Sequence, residues 1–119
     1  MMTPGATAEQ AFDALGDPTR RRVFHLLRGG ERSVGDIAAQ LPVSRPAVSQ
    51  HLRVLKEAEL VTDRPEGVRR LYSVRRTGLE ALRAELETMW DDALTAFAAA
   101  ADDDERARDR RHRPGRSDR

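Results

Sequence analysis

Residues 33–60 constrain the fold of this chain more than any other stretch. They contain two short segments with apolar residues at helical spacing, joined by residues 41–44, Leu-Pro-Val-Ser, which leave room only for a tight turn. Within the second segment, Val48, Leu52 and Leu55 fall on one side and polar residues fall on the other. A short helix, a tight turn and a second helix with a polar face form the helix-turn-helix arrangement that places side chains in a DNA major groove.

The polar face of the second helix, predicted at residues 44–58, carries side chains suited to DNA. If Val48 faces the core, Gln50 and Arg53 point nearly the opposite way. Arginine can pair bidentately with guanine and glutamine with adenine, and a hydroxyl at a helix start suits a phosphate. The predicted DNA contacts of this helix are Ser44, Arg45, Pro46, Ser49, Gln50, His51 and Arg53.

Two assignments on this helix stay open. Arg45 and Arg53 can each meet a base or a phosphate, and the sequence does not separate these roles. His51 lies about 60° from the centre of the core face. It therefore either fills space or bonds to backbone at the boundary, or contacts DNA.

A basic hairpin is predicted directly after this helix. Residues 61–74 read as two strands around a turn at Glu66-Gly67. The hairpin carries Arg64, Arg69 and Arg70. We expect these guanidinium groups to contact DNA beside the major-groove site; the alternative is a solvated hairpin whose charges contact nothing.

Helical patterns dominate the rest of the chain. Further helices are predicted at residues 8–15, from Asp17-Pro18 to Gly29-Gly30, and at residues 33–41. With the hairpin and a last helix, the predicted order is α-α-α-α-β-β-α. This is a mainly α fold with a small β-hairpin, the winged helix-turn-helix.

The last predicted helix, residues 77–101, has an apolar stripe that is wider than one neighbouring helix needs. We expect this stripe and the first helix to form a subunit interface; ordinary packing inside one monomer is the alternative. The predicted dimer-interface residues are Phe12, Leu15, Leu82, Leu86, Met89, Trp90, Ala93 and Phe97.

The chain of 119 residues is expected to form one domain at residues 8–101. Residues 1–7 are expected to be disordered. Residues 102–119 are expected to form a disordered charged tail, because Ala107 is the one residue there that could join an apolar face.

Composition excludes several classes of function. The chain has no cysteine, so it can form neither a disulfide nor a thiolate metal site. Its net charge of +1 gives no bulk attraction to nucleic acid, so DNA binding depends on where the arginines lie. No membrane span or signal peptide is present, which favours the cytoplasm. No catalytic motif or phosphate-cradling glycine loop is present, so we expect no enzyme.

Three segments together resemble the ArsR/SmtB family of bacterial winged-helix regulators. They are FDALGDPTRRRV at residues 12–23, PVSRPAVSQHL at residues 42–52, and the arginine-rich hairpin. The resemblance implies a homodimer joined through its first and last helices, whose two winged heads bind a palindromic operator in double-stranded DNA. It also implies repression of a promoter.

The metal sites of that family are not carried over to this chain. The family's thiolate site lies on the helix before the DNA-contacting helix, where this chain has Ser33-Val34-Gly35-Asp36. Another family site uses histidines on the last helix, and residues 77–101 contain none. The resemblance is therefore to the metal-independent branch, and no metal or cofactor is expected.

Two alternatives accompany this prediction. One is a metal-responsive repressor with a non-thiolate site built across the dimer. The other is a winged-helix module that binds a protein, which would account for the small net charge; the polar face with Arg45, Gln50 and Arg53 favours a DNA groove instead. A small-molecule or protein effector is compatible with the repressor, although no motif in the sequence identifies one.

Overall fold

The computed structural model describes residues 7–112. Its helices are α1 (Ala8–Gly16), α2 (Pro18–Leu27), α3 (Val34–Ala38), α4 (Arg45–Glu57) and α5 (Arg76–His112), and its strands are β1 (Val61–Glu66) and β2 (Arg69–Val74). The strands form one antiparallel hairpin. The predicted order of elements and the mainly helical fold with a small hairpin are confirmed.

Side chains cap the starts of the first four helices, because the first N–H groups of a helix have no partner inside it. The capping residues are Thr7 for α1, Asp17 for α2, Ser33 for α3 and Ser44 for α4. Ser33 and Asp36 bond reciprocally, with N–O distances of 3.1 and 3.3 Å. This reciprocal pair is a capping box at the start of α3.

Helix α3 is shorter than predicted. It ends at Ala38 and not at residue 41, because the backbone tightens after it: the N–H of Gln40 donates to the carbonyl of Ile37 at 3.0 Å. The turn between α3 and α4 therefore begins earlier than the apolar spacing indicates.

The core lies where α2, α3, α4 and β1 meet. Its largest fully buried side chains are Val23, Ile37, Val48, Leu52, Leu55, Leu60 and Val61. The predicted core face of α4, Val48, Leu52 and Leu55, has no solvent exposure. Burial of apolar side chains thus fixes one side of helix α4. Each large side chain contributes about 1.5–3 kcal/mol of stabilising free energy when it is buried.

The hairpin is tied to the helical body through Tyr72. Its turn consists of residues 67–68, and Gly67 has φ +62°, as the first central position of a type II′ turn requires. On the other side of β2, Tyr72 exchanges two backbone hydrogen bonds with Arg32, at 2.8 and 3.1 Å. The wing, defined as residues 61–74, is therefore held to the loop that precedes α3.

Helix α4 ends in a left-handed turn against the start of α5. Glu59 has φ +56°, and the N–H groups of Glu59 and Leu60 donate to the carbonyls of Lys56 and Leu55, both at 2.9 Å. The N–H of Gly78 donates to the carbonyl of Glu59 at 2.8 Å. A Cβ at Gly78 would lie 2.4 Å from the carbonyl oxygen of Ala58, so this approach requires glycine.

The described residues divide into two compact units, residues 7–85 and 86–112. In the first unit, Leu79 and Leu82 pack against the core. In the second unit, the described part of α5 exposes large apolar side chains, namely Leu86, Met89, Trp90, Leu94 and Phe97.

The end of α5 corrects the expected tail. The helix continues past residue 101 to His112, because Arg106 pairs with Asp103 at 3.4 Å and Arg108 with Asp104 at 3.0 Å, at helical i,i+3 and i,i+4 spacing. Thr7, expected in the disordered N-terminus, caps α1. The rest of both expected disordered segments, residues 1–6 and 113–119, lies outside the described residues.

Replacing Gly78 with alanine should destabilise the protein. The added methyl group meets backbone oxygens, which cannot rotate away, so we expect Gly78→Ala to lower the free energy of unfolding by about 1–3 kcal/mol. Urea unfolding followed by circular dichroism measures this loss.

Gly16→Ala is the matched control. Nothing lies within 4 Å of a Cβ at Gly16, which ends helix α1, so that variant should be as stable as the original chain or slightly more stable. Equal stability of the two variants would show that the contact at Gly78 is not tight.

Candidate nucleic-acid interface

The outer side of α4 presents the side chains predicted to contact DNA. Those that lie exposed on the protein surface are Ser44, Arg45, Pro46, Ser49, Gln50 and Arg53. Ser44 accepts a hydrogen bond from the N–H of Ala47 at 3.3 Å, which leaves Arg45 and Pro46 in the first turn. The structure thus places the predicted face on solvent and its opposite side in the core.

Two open grooves flank the wing and share Tyr72. One has a volume of about 560 Å³ and is lined by three arginines and one acidic residue among others: Ser33, Val34, Gly35, Asp36, Arg45, Arg69, Arg70 and Tyr72. The other has a volume of about 460 Å³ and is lined by Pro46, Ser49, Gln50, Arg53, Lys56 and Tyr72, among others. The first groove joins α3, α4 and β2, and the second joins α4 and β2. In the first groove, cations from the helix and from the wing therefore face one common space.

Arg45 lies across the first turn of α3. A Cβ built at Gly35 would come within 3.0 Å of its Nη2 and 3.3 Å of its Cζ. The absence of a side chain at Gly35 lets the guanidinium lie close to the α3 backbone. This position, in one groove with Arg69 and Arg70, suits an anionic group such as a phosphate.

His51 points toward the helical body. Its side chain is 19% exposed, and its Nδ1 lies 3.7 Å from Oδ2 of Asp17, which caps α2. Its Nδ1 is buried and has no hydrogen bond in the described structure. Of the two roles left open for His51, the boundary position is the one that the geometry shows, and its DNA contact stays a prediction.

A buried carboxylate connects α4 with the wing. The side chain of Asp63 is 7% exposed and pairs with Nζ of Lys56 at 2.8 Å and with Nε of Arg70 at 2.6 Å. The hydrogen bonds from Lys56 and then Arg70 hold the pKa of the Asp63 carboxyl below its ordinary value. Arg70 is therefore fixed in place by a partner inside the wing.

Arg64 and Arg69 pair with exposed carboxylates. Arg64 forms a bidentate pair with Glu31, with N–O distances of 2.7 and 2.8 Å, and also lies 3.4 Å from Glu66. Arg69 lies 3.2 Å from the other oxygen of Glu66. The hydrogen bond from Arg64 lowers the pKa of Glu31. The predicted wing contacts are thus half-exposed cations that already have partners.

The carboxylates of this network, Glu31, Asp63 and Glu66, were not predicted from the sequence. The register pairs Asp63 with Tyr72 and Glu66 with Arg69, and opposed residues share a face of the hairpin. The alternation of charges along the strands was therefore a usable signal for the pairs within the wing. No local pattern could identify Glu31, which lies 33 residues before Arg64.

The predicted dimer-interface residues differ in their surroundings. Phe12 is 38% exposed, and Leu15 and Leu82 are partly buried against the core. In the second unit, Leu86, Met89, Trp90, Ala93 and Phe97 are exposed along α5.

Within residues 7–112, the structure brings together no group of three or more histidine, cysteine or acidic side chains that could hold a metal ion. No helix in that part of the chain is both long enough and apolar enough to cross a membrane.

The fold and the exposed face of α4 define a winged helix-turn-helix protein. The family model "Bacterial regulatory protein, arsR family" matches residues 17–63. The chain is 50% identical over 101 residues to the HTH-type transcriptional regulator Rv2034 of Mycobacterium tuberculosis, which covers 85% of this chain and 94% of that protein. It is 44% identical over 69 residues to the transcriptional repressor SdpR of Bacillus subtilis, covering 58% of this chain and 77% of that protein.

Solved structures agree with this match. A possible transcriptional regulator for arsenical resistance is 45% identical and superimposes with a TM-score of 0.65, covering 76% of this chain and 95% of that one. An ArsR-like transcriptional regulator from Rhodococcus sp. RHA1 is 31% identical, with a TM-score of 0.66 and coverage of 79% and 92%. The chain belongs to the ArsR family. It is a DNA-binding transcriptional regulator and not an enzyme.

Replacing Asp63 tests the link between α4 and the wing. Because Asp63→Asn removes the charge that two cations bond to, we expect it to lower the free energy of unfolding by about 1.5–3 kcal/mol at pH 7. Urea unfolding at a series of pH values measures the difference from the original chain.

The pH dependence has a defined sign. The pKa of Asp63 is lower in the folded chain than its ordinary 3.8, so its stabilising contribution is complete above that value and is lost as pH falls through the folded pKa. The difference in the free energy of unfolding between Asp63→Asn and the original chain should therefore become smaller at acid pH. Asp13→Asn, at an exposed position on α1, is the control and should change little at any pH. A gap that stays constant down to acid pH would contradict the ion-pair explanation.

Proposed function

We propose that this protein is a homodimeric repressor that binds a palindromic operator. In this proposal α4 lies in the major groove and the wing contacts flanking DNA. The observation that carries it is the division of α4: Val48, Leu52 and Leu55 are fully buried, and the opposite side exposes Arg45, Gln50 and other polar residues. A helix held from behind by the core can present its outer side chains to base edges without moving its own backbone.

The contacts divide by their chemistry. Gln50 and Arg53 point away from the core near the middle of α4, where hydrogen bonds to base edges discriminate between sequences. Arg45, Arg69 and Arg70 share one groove, which favours a phosphate that fixes the head on the duplex. The exposed side chains of Ser44, Pro46, Ser49 and Arg64 complete the proposed surface, and His51 lies at its boundary with the helical body.

The exposed apolar residues of α5 support a dimer. Trp90 is 66% exposed and Phe97 76% exposed, and Leu86, Met89 and Leu94 are about half-exposed along the same helix. Apolar side chains in such a continuous row gain free energy when a second copy covers them. Two heads related by a twofold axis read half-sites about 34 Å apart, or a multiple of that, so the operator should be an inverted repeat.

A repressor role is supported by a relative of this chain. The relative SdpR is named a transcriptional repressor, and a dimer bound across a promoter can block it directly. We place one such operator upstream of the protein's own gene. DNase footprinting of that DNA should show a protected inverted repeat, and no protection there would contradict this placement.

Gln50→Ala should relax sequence preference. Loss of a bidentate base contact should cost about 1–3 kcal/mol of discrimination at one base pair and leave affinity for random DNA nearly unchanged. Binding titrations against operator variants measure this at fixed salt.

Gln40→Ala is the matched control, because it removes the same exposed amide from the turn before α4. It should leave base preference intact. If Gln50→Ala also preserves discrimination at every position, Gln50 does not contact a base.

Trp90→Ala should weaken the dimer. Removing a large side chain from the proposed interface should cost about 1–3 kcal/mol of association free energy, seen as a rise in the dimer dissociation constant by analytical ultracentrifugation. Thr95→Ala, about 140° away around α5, should leave the constant unchanged. Equal dissociation constants for both variants would place Trp90 outside the interface.

A further inference from the structure

The wing arginines fall into two groups according to the carboxylates that they meet. Arg70 pairs with Asp63, whose side chain is 7% exposed. Arg64 and Arg69 pair with Glu31 and Glu66, whose side chains are 38% and 46% exposed. A pair in water can exchange partners at small cost, whereas a buried carboxylate without its cation cannot be solvated.

The register separates the two groups further. Glu66 is directly opposite Arg69, so these residues lie on one face of the hairpin together with Arg64. Asp63, Arg70 and Tyr72 lie on the other face by the same alternation. One face of the wing therefore anchors it to α4, and the other holds two arginines beside acidic partners that water reaches.

We propose that Glu31 and Glu66 act as internal counter-anions of the wing, which occupy Arg64 and Arg69 until a DNA phosphate replaces them. This inference rests on the proposed DNA contact of the wing. It assigns Glu31 and Glu66 the role of setting the sequence-independent part of the affinity. Such a phosphate contact must first displace a carboxylate, so the wing binds phosphates more weakly than its arginines alone would.

Internal carboxylates should make the DNA affinity of the wing less dependent on salt. When an arginine side chain binds a DNA phosphate, the cation condensed on that phosphate is released into solution. Each such release steepens the dependence of the binding constant on salt. An arginine that first leaves an internal carboxylate also releases the cation from the phosphate. The freed carboxylate then attracts a cation from solution, so the net release of cations is smaller. Removing the carboxylate should therefore make the salt dependence steeper, which a purely structural role for Glu31 would not do.

The experiment compares Glu31→Gln, Glu66→Gln and the double variant with the original chain on random-sequence duplex DNA. We expect each single variant to bind about two- to five-fold more tightly at moderate salt, with a steeper slope of log affinity against log salt. Glu80→Gln is the charge-matched control, because it breaks the exposed pair with Arg76 on α5, at 3.5 Å.

A thermodynamic cycle identifies the arginine involved. Glu31→Gln should have little effect in a chain that also carries Arg64→Ala, because the carboxylate acts through that guanidinium. Thermal unfolding of each variant confirms that it is folded.

The outcomes separate this proposal from the proposed function. Unchanged or weaker binding by Glu31→Gln and Glu66→Gln would overturn it, as would an equal gain in Glu80→Gln, which would reflect net charge alone. Failure of the original chain to bind any duplex at low salt would instead overturn the proposed DNA-binding mode itself.

Discussion

Burial of one side of α4 is the constraint on which the rest of the structure depends. Val48, Leu52 and Leu55 have no exposure, and the residues that surround them come from α2, α3 and β1. A helix of 13 residues is marginal alone in water, so tertiary packing must supply most of its stability. The same packing fixes its rotation, which decides which residues face solvent.

Electrostatics in the wing follow from where each carboxylate sits relative to water. The buried carboxylate of Asp63 pairs with Arg70 and with Lys56, the only lysine of the chain. It thereby joins a strand to a helix. Glu31 and Glu66 pair with their arginines at positions that water reaches. A hairpin of two strands is marginal by itself, so these pairs and the backbone bridge from Arg32 to Tyr72 give it a defined position.

Sequence patterns predicted the features that depend on near neighbours. The buried face of α4 and its cap at Ser44 follow from spacing within one helix, and the hairpin follows from alternation around Gly67. The bidentate pair of Arg64 with Glu31 could not be predicted, since it depends on how distant segments pack. The continuation of α5 was missed because charge pairs such as Arg108 with Asp104 extend a helix that has no apolar face left to signal it.

The turn at Glu59 has a mechanical consequence. The amide of Gly78 bonds to the Glu59 carbonyl, and no side chain separates the two backbones there. Most helices slide past one another by small changes of side-chain rotamer, but here there is no rotamer to change. If the first turn of α5 tilts, the end of α4 must therefore move with it, or the hydrogen bond between Gly78 and Glu59 must break.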